Sequence, residues 1–264
     1  MERRTVGTVH VTALIDNTQT YPATAVYPDA GKALDQFANY LDDSGGLPLS
    51  FAAYLIADGS QLILVDTGWG PEANGHLPAE LAAVGVSPEE IRTVAFTHLH
   101  GDHTGWNIDR DTGVPLFPNA RYLVPEGDWQ HYSTQDPEPE SFVRDVRPLY
   151  DSGHLELIPE EARLSESVVA VATPGHTPGH TSYSIRSGGE EGFVLGDVVV
   201  GMPDAELPSL RNSFDHDPGA ALTTRTISIA RFSRDNVLVA ANHLPAPGFG
   251  RFSVVDGKSY WKPE

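Results

Sequence analysis

Hydrophobic positions recur along this chain in short runs, not in one long stretch. "TVGTVHVTALI" (5–15), "FAAYLIA" (51–57), "QLILVD" (61–66), "TVAFTH" (93–98), "RYLVP" (121–125), "SVVAVAT" (167–173), "TSYSIRS" (181–187), "GFVLGDVVV" (192–200) and "NVLVAANH" (236–243) are rich in apolar and β-branched residues and bounded by Gly, Pro, Asp or Asn. That is how strands read. Asp58-Gly59 lies between two of these runs and predicts a hairpin, because Asp-Gly tolerates the positive φ of tight turns. Helical spacing appears in between. A helix is expected from Ser87, with Ser87 as N-cap, Pro88 at the first position and Glu90 closing a capping box. A second, over 217–235, has Asp217 as cap and apolar residues three and four apart, and a third lies around 138–150. Strands interspersed with helices predict a layered α/β architecture with mixed sheets.

No internal repeat or low-complexity tract interrupts the pattern, and no shift in composition marks a boundary, so residues 1–264 are expected to form one domain. Segments 18–50 and 133–140 read as loops over a site. The aromatic and apolar residues Tyr21, Tyr27, Phe37, Tyr40 and Leu47 of the first, with Trp129, Tyr132, Phe142 and Tyr150 of 128–150, suit either a substrate cleft or the packing of loops onto the core.

Composition narrows the function. A hydrophobic fraction of 40% supports a sizeable core, and a formal net charge of −19 disfavours a nucleic-acid partner, which needs a positive footprint. The chain has no cysteine, so disulfides and thiolate metal sites are excluded, and any zinc must be held by His and carboxylate. The N-terminal stretch has no continuous apolar segment of a secretory signal, and no run reaches the roughly 18 residues of a membrane span. A cytoplasmic enzyme with a small-molecule substrate and no membrane partner is expected; a homodimer is left open.

The densest chemistry is "THLHGDHTG" (97–105), which places three histidines and an aspartate within six positions. In extended backbone His98 and His100 point the same way, and Gly101 lets the chain turn before Asp102 and His103. This could feed two metals, two donors to each, but zinc takes at least four ligands including water. The missing donors follow later strands: His176 and His180 in "TPGHTPGH", Asp197 within an apolar run, and His243 after another. A carboxylate among Leu195, Val198, Val199 and Val200 is costly to bury unless a cation or strong hydrogen bonds meet it. Taken singly, each of these has an ordinary structural reading, as do His10, His76, His131, His154 and His216. Together they predict a metal centre.

These motifs, with "VDTG" (65–68), "LGD" (195–197) and "NHLPAPGFG" (242–250), occur in an order that resembles the metallo-β-lactamase-fold hydrolases, and within them the branch of N-acyl homoserine lactonases and methyl-parathion-type hydrolases. The resemblance implies an αββα sandwich of two mixed sheets flanked by helices. It implies two Zn²⁺, with Mn, Fe or Co able to use the same donors. One would be bound by His98, His100 and His176, the other by Asp102, His103 and His243, with Asp197 bridging both. His176 is chosen over His180 because the family ligand follows the first Pro-Gly; His180 is then a structural neighbour. Asp66 would support the site from behind. One departure is Val200, which stands where well-known lactonases carry a tyrosine.

The chemistry so implied is attack on a lactone or carboxylic ester by a metal-activated hydroxide, with Asp197 and Asp102 as the catalytic carboxylates and Asp102 as a proton shuttle. Phosphotriester hydrolysis and β-lactamase activity are the alternatives, and a non-catalytic metal-binding module is the last. No Gly-x-Ser-x-Gly or Gly-x-x-x-x-Gly-Lys motif offers a serine nucleophile or a phosphate loop.

Overall fold

The computed structural model describes residues 2–264. Thirteen strands form two sheets. The first holds seven, in chain order: β1 (Arg3–Val6), β2 (Val9–Pro22), β3 (Gly46–Asp58), β4 (Gln61–Val65), β5 (Thr93–Ala95), β6 (Arg121–Pro125) and β7 (Leu155–Ile158). Neighbours are antiparallel from β1 to β4 and parallel from β4 to β7. The second holds six, in the order β13 (Lys258–Pro263), β12 (Phe249–Val255), β11 (Leu238–Ala240), β10 (Glu190–Val194), β9 (Thr181–Ser187) and β8 (Val168–Ala172). Only β10 and β11 are parallel there. Both sheets are therefore mixed, as expected.

The period-two alternation of strands decides which residues face which layer. On β3, Ala52, Tyr54 and Ile56 enter the core between the sheets, where they meet Val168, Ala170, Tyr183, Ile185 and Val194. The intervening Ala53 and Leu55 face the outer layer, packed by Leu77, Leu81, Phe117, Phe142 and Leu149. The outer face of the second sheet is covered by the helix Pro218–Asp235 through Ile229 and Phe232, packed on Phe193, Phe252 and Trp261. Helix, sheet, sheet, helix is the result. No helix of the described residues is long and apolar enough to cross a membrane.

Local expectations met tertiary packing with mixed outcomes. The helix over 217–235 is present, and Asp217 accepts from the N–H groups of Gly219 and Ala220. From Ser87, only one 3-10 turn forms, over Pro88–Glu90. Glu90 does accept the Ser87 N–H at 2.8 Å, but the β-branched Thr93 and Val94 that follow are buried as β5 between β4 and β6, and sheet burial overrides the cap. The helical stretch near 138–150 widens to a π-turn over Phe142–Val146, because Pro148 has no N–H to continue the α ladder. The 18–50 segment is less of a loop than expected. Its ends extend β2 and β3, and Gly31–Tyr40 is a 3-10 helix. Asp197 sits just past β10, in the turn Gly196–Val198, and not within a strand. The β12–β13 hairpin turns at Asp256-Gly257, both with positive φ, an Asp-Gly signal that the pattern reading missed.

The cap at Asp217 offers a direct check of a local signal against packing. Asp217→Ala is expected to cost about 1 kcal/mol, seen as a lower urea midpoint with unchanged slope; an unaltered midpoint would show that packing alone holds the helix.

Candidate metal centre

Every donor singled out in the sequence follows the end of a strand. Asp66 comes after β4, the residues 98–103 after β5, His176 and His180 between β8 and β9, Asp197 after β10 and His243 after β11. Carboxyl ends of strands are where α/β sheets gather ligand-binding loops. Two groups of side chains converge there, His98, His100 and His176 in one, and Asp102, His103, Asp197 and His243 in the other, each with its ligand atoms within 4.8 Å of one another. Among the described residues no other group of three or more His, Asp or Glu converges in this way.

Hydrogen bonds on the far side of each ring fix what the near side presents. His103 Nδ1 lies 2.9 Å from Asp66 Oδ2, His176 Nδ1 is 3.1 Å from Asp215 Oδ1, and His243 Nδ1 is 2.7 Å from the Ser50 carbonyl. These partners can only accept, so each Nδ1 carries the proton. Thr97 Oγ1 donates to Asp66 and thereby accepts from His98 Nδ1 at 3.0 Å. Four Nε2 lone pairs thus point inward. His98 Nε2 and His176 Nε2 flank His100 Nδ1 at 2.9 and 3.0 Å.

In their neutral forms the imidazoles of the second group turn only acceptors toward its two carboxylates. His103 Nε2 is 3.3 Å from Asp197 Oδ1 and 3.5 Å from Asp102 Oδ2, while His243 Nε2 is 3.0 Å from Asp197 Oδ2 and 3.4 Å from Asp102 Oδ2. His103 Nε2 and Asp197 Oδ1 are buried with no hydrogen-bond partner. Buried acceptors left facing one another cost about 1–3 kcal/mol each, more when charged. A divalent cation removes that cost, and donors held at about 2.0–2.2 Å in a tetrahedron lie about 3.3–3.6 Å apart, close to the spacings found. The residues fit a metal.

Electrostatics show the same demand for positive charge. Burial lowers the His98 pKa well below its ordinary value and His100 to about 3, which keeps both neutral. Burial opposes the charged forms of His103 and His243 too, but the carboxylates of Asp197 and Asp102 outweigh it, and both are raised. Burial would raise Asp197, yet His243, His103, His98 and His176 together hold it well below the usual carboxylate range.

His180 is brought close but is already engaged. Its Nε2 accepts the Asp197 N–H at 2.9 Å, so its Nδ1 donates to Thr173 Oγ1 at 2.8 Å, and burial lowers its pKa to about 3. No lone pair is left for an ion. Gly196 allows this contact, since it has φ +64° and a Cβ there would stand 2.6 Å from His180 Nε2. Asp66, itself at φ +61°, accepts from Thr97 and Asn242 as well as His103, the supporting place the motif suggested.

Three contributors escaped the sequence reading. The buried carboxylate of Asp128 accepts from Leu99 N, Thr177 Oγ1 and Gly179 N, so it ties the 97–103 loop to the 173–180 loop. Asp215 orients His176, and the Ser50 carbonyl orients His243. None lies in a motif. A chamber of about 320 Å³ opens over the donors, walled by Tyr21, Leu49, Phe51, Trp69, Val200 and Phe214. Of the aromatic residues considered for a cleft, only Tyr21 lines it. Tyr27, Phe37 and Leu47 pack beneath the 23–41 segment, and Trp129, Tyr132 and Phe142 pack outside the first sheet.

Raised imidazole pKa values stabilise the fold fully below the unfolded value of about 6.5, and that contribution is lost as pH rises through the folded values. Metal-stripped protein should therefore lose stability as pH rises above about 6.5, while zinc-loaded protein, in which the cation replaces those protons, should not. Urea midpoints of both forms check this; parallel pH dependences would contradict it.

Comparison with known proteins agrees with the fold. The AiiB N-acyl homoserine lactonase of Agrobacterium fabrum is 26% identical over 202 residues, which span 65% of this chain and 71% of that protein. The crystal structure of the hydrolase AbOPH, in the β-lactamase superfamily, superposes with a TM-score of 0.88 at 29% identity, covering 99% of this chain and 96% of that one. AidC, a dizinc quorum-quenching lactonase, reaches the same TM-score at 22% identity over 100% of this chain and 97% of its own, and shows the fold alone. Residues 48–243 match the model of the metallo-β-lactamase superfamily, and the chain belongs to that superfamily of metal-dependent hydrolases.

Proposed function

We propose that the chain is a dinuclear metallohydrolase that opens a lactone or cleaves a carboxylic ester of modest size. The observation that carries this reading is the placement of Asp197, whose two oxygens face donors of both groups. In this reading His98, His100 and His176 hold one ion, Asp102, His103 and His243 the other, and Asp197 both. Zinc suits a set of imidazole and carboxylate donors, and manganese, iron or cobalt would use the same atoms. When bound, the ions supply a water of lowered pKa and positive charge for a developing oxyanion.

The chain's own residues do the rest. Asp102, with a side chain 17% exposed and set in the chamber wall, is the carboxylate able to hold and pass a proton between the site and solvent. Tyr21, Leu49, Phe51, Trp69 and Phe214 exclude water and receive an apolar part of the substrate. The likeness to a lactonase supports the lactone class, and the net charge of −19 argues against nucleic acid. Val200 in the chamber wall favours a second reading, a phosphotriester, since it brings no hydroxyl to a lactone carbonyl.

Asp197→Asn is expected to lose most bound metal and at least about 100-fold in turnover, an effect larger than that of His180→Ala. Metal analysis and kinetics of both variants decide, and the reverse order would show that His180 is a ligand. For the substrate, a panel of γ- and δ-lactones, aryl esters, phosphotriesters and β-lactams is presented to metal-loaded enzyme, with His100→Ala as control. Proton release from lactones or esters is the expected result; cleavage of phosphotriesters or β-lactams alone would overturn the substrate class.

A further inference from the structure

The long helix Pro218–Asp235 buries Ala221, Arg225, Ile229 and Phe232 along one face. Three of these suit an apolar stripe. Arg225 does not, yet it is 1% exposed. Burying a guanidinium is costly, and an apolar residue of similar size often serves stability as well. Its contacts point elsewhere.

Its guanidinium makes four hydrogen bonds and faces a second carboxylate. Nε donates to Val198 O at 2.7 Å, and Nη1 to Leu210 O at 2.9 Å and Pro208 O at 3.3 Å. Nη2 donates to Asp215 Oδ2 at 3.0 Å and lies 3.5 Å from Asp204 Oδ2. One side chain therefore clamps two loops. The first follows Asp197 and is closed by Asp204, which accepts from Val200 N and Gly201 N. The second, 208–217, carries Phe214 to the chamber and Asp215 to His176. Asp215 joins the arginine to His176, for its Oδ2 accepts from Arg225 while its Oδ1 accepts from His176 Nδ1.

We infer that Arg225 is a positioning residue that acts through Asp215 on His176, and so sets the cation affinity of the His98, His100 and His176 group without equal effect on the other. The inference rests on the reading that each group holds an ion. Partners behind a ligating histidine fix its tautomer and raise its basicity, and their loss typically weakens metal binding about 10–100-fold. His103 and His243 take their support from Asp66 and Ser50, outside the arginine's reach.

Full-length wild type, Arg225→Met, Asp215→Asn and Asp204→Asn are stripped of metal and titrated with Zn²⁺ against a chromophoric chelator. Wild type should bind two ions. Arg225→Met and Asp215→Asn should each weaken one of the two by about 10–100-fold and leave the other near wild type. Asp204→Asn removes a carboxylate beside the same arginine and reaches Asp215 only through Asn212, and should leave both affinities near wild type. Equal weakening of both ions, no weakening of either, or the same loss in Asp204→Asn would overturn the inference and reduce Arg225 to a structural clamp. If Arg225→Met does not fold, the contrast between Asp215→Asn and Asp204→Asn decides. Wild type that binds fewer than two ions would overturn the two-ion reading and this inference with it.

Discussion

The buried carboxylate of Asp197 lies within 3.9 Å of nitrogens from four buried histidines, His98, His103, His176 and His243. Far-side hydrogen bonds have already committed one proton of each ring, so what meets the carboxylate is a set of lone pairs until a second proton or a cation binds them. Such a cluster repels itself unless positive charge enters it. The rest of the architecture follows from that need. Each ring is braced from behind by a buried acceptor, and each brace arrives on a different element.

The two sheets make this bracing achievable. Parallel pairing of β4, β5 and β6 brings Asp66, the 97–103 loop and Asp128 to one edge, and the parallel pair β10 and β11 brings Asp197 and His243 to the same edge from the other layer. Between Pro22 and Gly46 at its tip and the start of the β3–β4 pairing at Tyr54, the β2–β3 ribbon is bonded only to itself on the first sheet's side. It runs out over the site and supplies Tyr21, Leu49 and Phe51 to the chamber wall and the Ser50 carbonyl to His243. Metal donors and chamber wall are thus rooted in different parts of the fold.

That division explains what could be read from the chain. Donors in 98–103 are legible because four lie within six positions, and His176, Asp197 and His243 are legible because each follows a hydrophobic run at a strand end. The choice of His176 over His180 came from resemblance, and its physical reason, the two hydrogen bonds that occupy His180, exists only in three dimensions. Asp128, Asp215 and Arg225 carry no local signal. Arg225 even breaks the apolar stripe of its helix, and its partners lie 10 to 27 residues away. Leu49 falls in the segment read as a loop and Phe51 at the start of a strand run; nothing in a period-two pattern tells that the strand outruns its sheet. Helix signals at Ser87 failed for a related reason, because burial on both faces of β5 outweighed a well-formed cap.

The central claim is that the converging lone pairs hold two cations astride Asp197. Anomalous diffraction at the zinc edge from crystals of zinc-loaded protein tests it most directly. The account predicts two peaks about 3.5–4 Å apart, one among His98, His100 and His176, the other among Asp102, His103 and His243, with the Asp197 carboxylate between them. A single peak, or peaks away from Asp197 with these side chains hydrogen-bonded to one another, would contradict it.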